Sequence, residues 1–391
     1  MSSHGPAWSD DAQARAAART AVGCDFRSAM VDDIRAAGGT LRAGRFTFRL
    51  AKEFGFCYGV DHALDLAYET RRRFPGRTIH LTGEIIHNPT VNERLSAMGF
   101  RFFNSPEEVG RGDIVLIPAF GAPVGQLQQL RDRGCFIVDT TCGSVVHVWK
   151  RVERYARDGF TTIIHGKYAH EETAATRSQT ELIPGSKYLV LKDKHEADAV
   201  AAFIRGELTA ADFRARFEKV ASPGFNPETD LDHIGLANQT TMLASESLEI
   251  ADLLRAAMAD RWGEEEVPFR FRSFDTICSA TQERQDAVHE LLAEHPDLML
   301  VVGGYNSSNT GHLAEIASEV CPAFHIDRPD CLISPDRIHH LPPFQKQEIE
   351  TTDWLPAGPI TIGLTAGAST PNRVLGDCIE RIIKIGTPIQ R

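Results

Sequence analysis

The chain has 391 residues, 42% of them hydrophobic and 24% charged, an ordinary globular balance spread over a length that calls for more than one core. The formal net charge of −11 argues against nucleic acid or an anionic membrane surface as a general partner. No apolar leader opens the chain and no apolar run approaches a membrane span, so a cytoplasmic protein is expected.

Residues 1–45 are rich in Ala and Arg. A helix is expected over Asp10 to Val22, and Gly38-Gly39 separates this extension from the rest of the chain. Then FTFRLAKEFGF (46–56) leads into Cys57 and a helix with Val60, Ala63, Leu64 and Ala67 on one face. TIHLTG (78–83) precedes the helix VNERLSAMG, and DIVLIPA (113–119) precedes PVGQLQQLRDRG. CFIVDTT ends at Cys142, where a helix begins with Val145, Val148, Trp149, Val152 and Tyr155 on one face. FTTIIHG (160–166), KYLVLKD (187–193) and HIGLANQ (233–239) are strands, each followed by a helical run. Residues 206–233 are charged and read as a surface insertion. FRFRSFDTI (269–277) leads into Cys278 and a helix carrying Ala280, Ala287, Val288 and Leu291. LMLVVGG (298–304) leads to HLAEIASEV, residues 328–358 read as a long surface loop, and PITIGLTAGA with NRVLGDCIERIIKIG closes the chain. Such alternation argues for parallel sheets with crossover helices.

Three of the eight cysteines, Cys57, Cys142 and Cys278, stand where a strand hands over to a helix N-terminus. There the unpaired N–H groups and the helix dipole stabilise a thiolate. One such cysteine is unremarkable, since cysteine is often simply buried. Three in the same setting are read as three lobes, each delivering one thiolate to a shared centre. The lobes expected are 46–142, whose first strand can pack with the third lobe, 143–277 with the insertion near 206–233, and 278–391 with the loop 328–358. No CxxC pair exists, so a zinc knuckle is not supported. Three thiolates leave two options open: zinc with three cysteines, or an iron–sulfur cluster with one iron not held by protein.

In parallel α/β sheets ligands gather beyond the carboxyl ends of the strands. His87 follows the strand at 78–83, His170 and Glu172 follow 160–166, and Thr240 follows 233–239. Ser307, Ser308 and Asn309 follow 298–304, and Ser369 follows the last strand. Hydroxyls and an amide before a helix suit phosphate oxygens, and a carboxyl group in a pocket suits proton donation. No Walker motif, no GxGxxG turn and no GxSxG elbow is present. The residues by themselves thus point to a metal-assisted reaction on a phosphorylated small molecule.

The segments FGFCYGV, EIIHNPTVN, DTTC, HGKYAHEET, NQTT, TICSATQERQ, GGYNSSNT and TAGAST occur in that order over roughly residues 47–385. Together they closely resemble the hydroxymethylbutenyl diphosphate reductase family, and the insertion and the PAFGA segment look most like its cyanobacterial and plant-plastid branch. The resemblance implies a three-lobed, pseudo-threefold α/β fold of small parallel-sheet domains around a central [4Fe–4S] cluster held by Cys57, Cys142 and Cys278. It implies that His87, His170, Ser307, Ser308, Asn309 and Ser369 hold the diphosphate, that Glu172 is the proton donor, and that Thr240 works with it. The implied reaction is reductive dehydroxylation of an allylic diphosphate to isopentenyl and dimethylallyl diphosphate, with electrons from ferredoxin or flavodoxin. A cluster-bearing diphosphate sensor without turnover is the alternative. Three departures stand out: Ala119-Phe120-Gly121 where many bacterial members have AHG, Gly143 where Pro is common after the second cysteine, and His170-Glu171-Glu172 where His-Pro-Glu is common.

Overall fold

The computed structural model describes residues 12–274 and 276–386, which fall into two compact units, one built on Phe103–Cys278 and the other on residues 12–102 and 279–386. Among the described residues no helix is long and apolar enough to cross a membrane.

In the unit built from the two ends of the chain, the strands Phe46–Leu50, Ile360–Ala366, Leu298–Val302 and Ala323–Ile326 lie side by side in that order, all parallel. Thr40–Ala43 adds an antiparallel strand beside Phe46–Leu50. The strand Leu298–Val302 is buried along its whole length, as a strand covered on both faces must be. Phe46–Leu50 alternates instead, with Phe46, Phe48 and Leu50 inward. They meet Leu300, Ile362, Leu364, Ile379 and Ile382 in one apolar core. In the same unit Ile79–Leu81 pairs in parallel with Phe100–Phe102.

The N-terminal stretch is tied into this unit. Its helix runs Ala12–Phe26, and a second helix follows at Ala29–Ala36. Phe26 packs edge-on against Phe56 and Tyr68, with ring centroids 5.7 and 6.2 Å away. Asp25 accepts from Tyr68 Oη at 2.5 Å and from Arg94 Nε at 2.9 Å. Residues 328–358 are not a loop throughout. They contain a three-stranded antiparallel sheet, Leu332–Ser334, Arg337–His340 and Ile349–Thr352. Only alternate residues such as Ile338 and His340 turn inward, so the composition stays polar while the strands form. Trp354 anchors the sheet by donating its Nε1–H to Ser334 O at 2.9 Å.

The unit of residues 103–278 has a parallel sheet in the order Phe271–Ser273, Ile234–Asn238, Thr161–His165, Tyr188–Leu191. It also holds the parallel pair Ile114–Ile117 and Phe136–Asp139. Within the charged stretch 206–233, the helix Ala210–Phe217 has an inward face: Phe213 and Phe217, one turn apart, are 1% and 2% exposed. Their charged neighbours Asp212, Arg214 and Arg216 face out.

Candidate active site

Each of the three cysteines stands directly before a helix: Cys57 before Tyr58–Arg73, Cys142 before Gly143–Arg157, and Cys278 before Ser279–Leu292. None is in a disulfide. Their backbones are pinned to neighbouring strand ends. Cys57 N donates to Ala368 O at 3.1 Å, Cys142 N to Ala119 O at 2.9 Å, and Cys278 N to Thr240 O at 3.2 Å. A thiolate in such a position sees the positive end of the helix dipole.

In the unit of residues 103–278, the sheet brings His170, Glu172 and Thr240 together with Cys278. Thr161–His165 and Ile234–Asn238 are adjacent parallel strands, so the loops that leave them are neighbours. Glu172 sits in the first turn of the helix Glu171–Thr180 and is 1% exposed. Its Oε1 accepts from Thr240 N at 2.7 Å and its Oε2 from Thr240 Oγ1 at 2.9 Å. Both carboxyl oxygens are thus held by one residue, whose carbonyl in turn receives Cys278 N. His170 caps the same helix, its Nδ1 accepting from Glu172 N at 3.1 Å. That bond leaves Nε2 as the protonated nitrogen of the neutral ring. Phe120 stands edge-on to the His170 ring at 5.4 Å. Beside it Gly121 has φ +80°, and a Cβ there would collide with the Trp149 ring, so only glycine serves this turn. Gln239 braces the site: its Oε1 accepts from Lys167 N at 3.0 Å and its Nε2 donates to Thr241 Oγ1 at 2.8 Å.

The other unit brings together Cys57, His87, Ser307, Ser308, Asn309 and Ser369. Ser307 caps the helix Ser308–Ser318, its Oγ accepting from Thr310 N at 3.3 Å and Thr310 Oγ1 at 3.0 Å. Its own O–H hydrogen remains to donate. Ser308 and Asn309 are buried. Asn309 Oδ1 accepts from Ala368 N at 2.9 Å, while its buried Nδ2 has no hydrogen-bond partner among the described residues. A buried donor at a helix N-terminus with nothing to bond is a costly arrangement unless an anion completes it. Ser369 Oγ donates to His87 O at 3.0 Å. His87 is buried, its Nδ1 3.0 Å from Glu84 Oε2. Asn306 Nδ2 donates to the same Glu84 oxygen at 2.6 Å. Beneath this loop His325 donates its Nε2–H to Gly303 O at 2.9 Å, and burial lowers its pKa to about 4.

Glu84, Asn306, Gln239 and His325 were not singled out from the sequence. Glu84 and Asn306 lie inside EIIHNPTVN and GGYNSSNT, so their neighbours were a signal. His325 sits in the strand Ala323–Ile326, where nothing local marks it.

A family profile described as LytB protein matches residues 48–383. The chain belongs to the LytB family. The match encloses every candidate site residue, from Cys57 to Ser369. Among similar proteins, one from Gloeobacter violaceus named 4-hydroxy-3-methylbut-2-enyl diphosphate reductase is 48% identical over 372 residues, 92% of this chain and 88% of its own. One of the same name from a Synechococcus strain is 47% identical over 367 residues, 92% of this chain and 91% of its own. Both sources are cyanobacterial, the branch to which PAFGA pointed. A solved structure of (E)-4-hydroxy-3-methyl-but-2-enyl diphosphate reductase, described as the terminal enzyme of the non-mevalonate pathway, aligns with a TM-score of 0.53 at 27% identity over 86% of this chain and 99% of that one. The Plasmodium falciparum reductase aligns at 0.64 and 21% identity over 85% and 86% of the two chains, a likeness of fold. This LytB chain therefore has the α/β fold of parallel-sheet units expected from its strand–helix alternation.

Proposed function

We propose that this LytB-family protein reduces (E)-4-hydroxy-3-methylbut-2-enyl diphosphate to isopentenyl and dimethylallyl diphosphate, the last step of the non-mevalonate isoprenoid pathway. The observation that carries this reading is the 48% identity over 372 residues to a relative of that name. The reaction breaks the allylic C–O bond, takes up two electrons and two protons, and releases water.

The donor set fits an iron–sulfur cluster. Three cysteines outside disulfides, each at a helix N-terminus, offer soft thiolate ligands. Cys57, Cys142 and Cys278 would hold a [4Fe–4S] cluster. When bound, such a cluster supplies the electrons one at a time and a Lewis-acidic iron without a protein ligand. Ferredoxin or flavodoxin would deliver those electrons.

The remaining chemistry falls to side chains. Asn309 Nδ2, the Ser307 hydroxyl, Ser308 and the rings of His87 and His170 bind the diphosphate and offset its charge within a net-acidic protein, and Ser369 joins them by turning its hydroxyl from His87 O. Glu172 gives its proton to the departing hydroxyl oxygen, so water leaves instead of hydroxide. Thr240 holds both Glu172 oxygens and so sets where that proton sits. The cover over Glu172 keeps bulk water from competing for it.

Protein purified without oxygen tests this reading. About four irons and four sulfides, brown absorbance that changes on adding the allylic diphosphate, and turnover with reduced ferredoxin are expected. Zinc alone refutes the cluster. A cluster that binds the diphosphate yet is inactive with every reductant would mean a sensor.

A further inference from the structure

Glu84 lies on the loop after Ile79–Leu81, three residues before His87, with a side chain 36% exposed against 6% for His87. One of its carboxylate oxygens, Oε2, receives two nitrogens: Asn306 Nδ2 at 2.6 Å and His87 Nδ1 at 3.0 Å. The two nitrogens are themselves 3.1 Å apart, and because the carboxylate can only accept, its 3.0 Å contact makes Nδ1 the donor. Asn306 belongs to the loop that ends in Ser307–Asn309. The backbone of His87 is gripped from the same direction. Ser369 Oγ bonds its carbonyl at 3.0 Å, and a Cβ on Gly304 would stand 2.5 Å from that carbonyl.

Resting on the proposed function, we infer that Glu84 is a positioning residue for the diphosphate: held by Asn306, its carboxylate takes the Nδ1–H of His87 and commits the ring to bind phosphate through Nε2. With Nδ1 committed to a carboxylate, the ring reaches a phosphate oxygen only through Nε2. A ring donating through both nitrogens is an imidazolium, the form an anion binds best. Asn306, on the loop before Ser308–Ser318, fixes the carboxylate where the ring can reach it.

The test compares Glu84→Gln with wild type, alone and in a His87→Asn background, by steady-state kinetics and by calorimetric binding of inorganic pyrophosphate to the cluster-loaded protein. Glu84→Gln alone is expected to raise KM and weaken pyrophosphate binding about tenfold or more, with kcat within about twofold. In the His87→Asn background the same substitution is expected to change nothing further. An unchanged KM in the single variant overturns the inference. So does an undiminished effect without His87, which would mean that Glu84 only props the loop. If wild type turns nothing over but binds pyrophosphate in a Glu84-dependent way, the functional reading falls and this one stands. If wild type binds no pyrophosphate, both fall.

Discussion

Replacing Glu172 by Gln should nearly abolish turnover while leaving the protein folded and able to hold the proposed cluster. The substitution keeps the shape of the side chain. Thr240 N–H still finds a carbonyl oxygen at the position of Oε1, now 2.7 Å away, and Thr240 Oγ1 can turn to accept from the new amide. Exchanging the carboxyl group's bonds for those of an amide costs about 1 kcal/mol of stability. The carboxyl proton, by contrast, is lost outright. A positioned general acid is worth about 10²–10⁴ in rate, roughly 3–5 kcal/mol of barrier. The assay is anaerobic turnover at saturating diphosphate with a low-potential dye, normalised to iron content, beside urea unfolding of the same samples. A kcat within about threefold of wild type would refute Glu172 as the acid, because it falls far short of the roughly 10²–10⁴ that a positioned general acid typically contributes. A large loss of stability would refute the shape argument instead.

Cys57→Ser should lose iron and visible absorbance while keeping its far-ultraviolet circular dichroism; unchanged iron content would remove Cys57 from the ligand set. For His325, burial holds the folded pKa at about 4 against an ordinary value of 6.5. The unfolded chain therefore binds the extra proton first. The stability is intact above about pH 6.5 and is lost as pH falls toward about 4, by roughly 2–3 kcal/mol over that window. Urea midpoints at pH 7 and 4.5 check this, and His325→Gln should flatten the difference. Phe213→Ala should cost about 3–5 kcal/mol, read as a fall in the urea midpoint, because its ring packs 4.9 Å from that of Phe203; a negligible shift would return residues 206–233 to the surface.

Much of this was legible along the chain because it is local. Strand and helix periods marked the junctions at Cys57, Cys142 and Cys278, and the run LMLVVGG stood out as a strand before a helix. Residue type and position after a strand also picked out Glu172, Thr240 and Ser307–Asn309. The polar segments misled for the opposite reason. In 206–233 two phenylalanines one turn apart are outnumbered by charges, and in 328–358 the strand Arg337–His340 buries only alternate residues while Ile349–Thr352 buries none. That the first strand can pack with the third lobe was expected; the tertiary structure decided that its partner there is Ile360–Ala366. It alone joined Glu84 to Asn306, and it gave Glu172 and Thr240 the two bonds that hold them. A sequence records what each residue can offer. Which groups meet depends on strand order, and strand order is set by burial of side chains far apart in the chain.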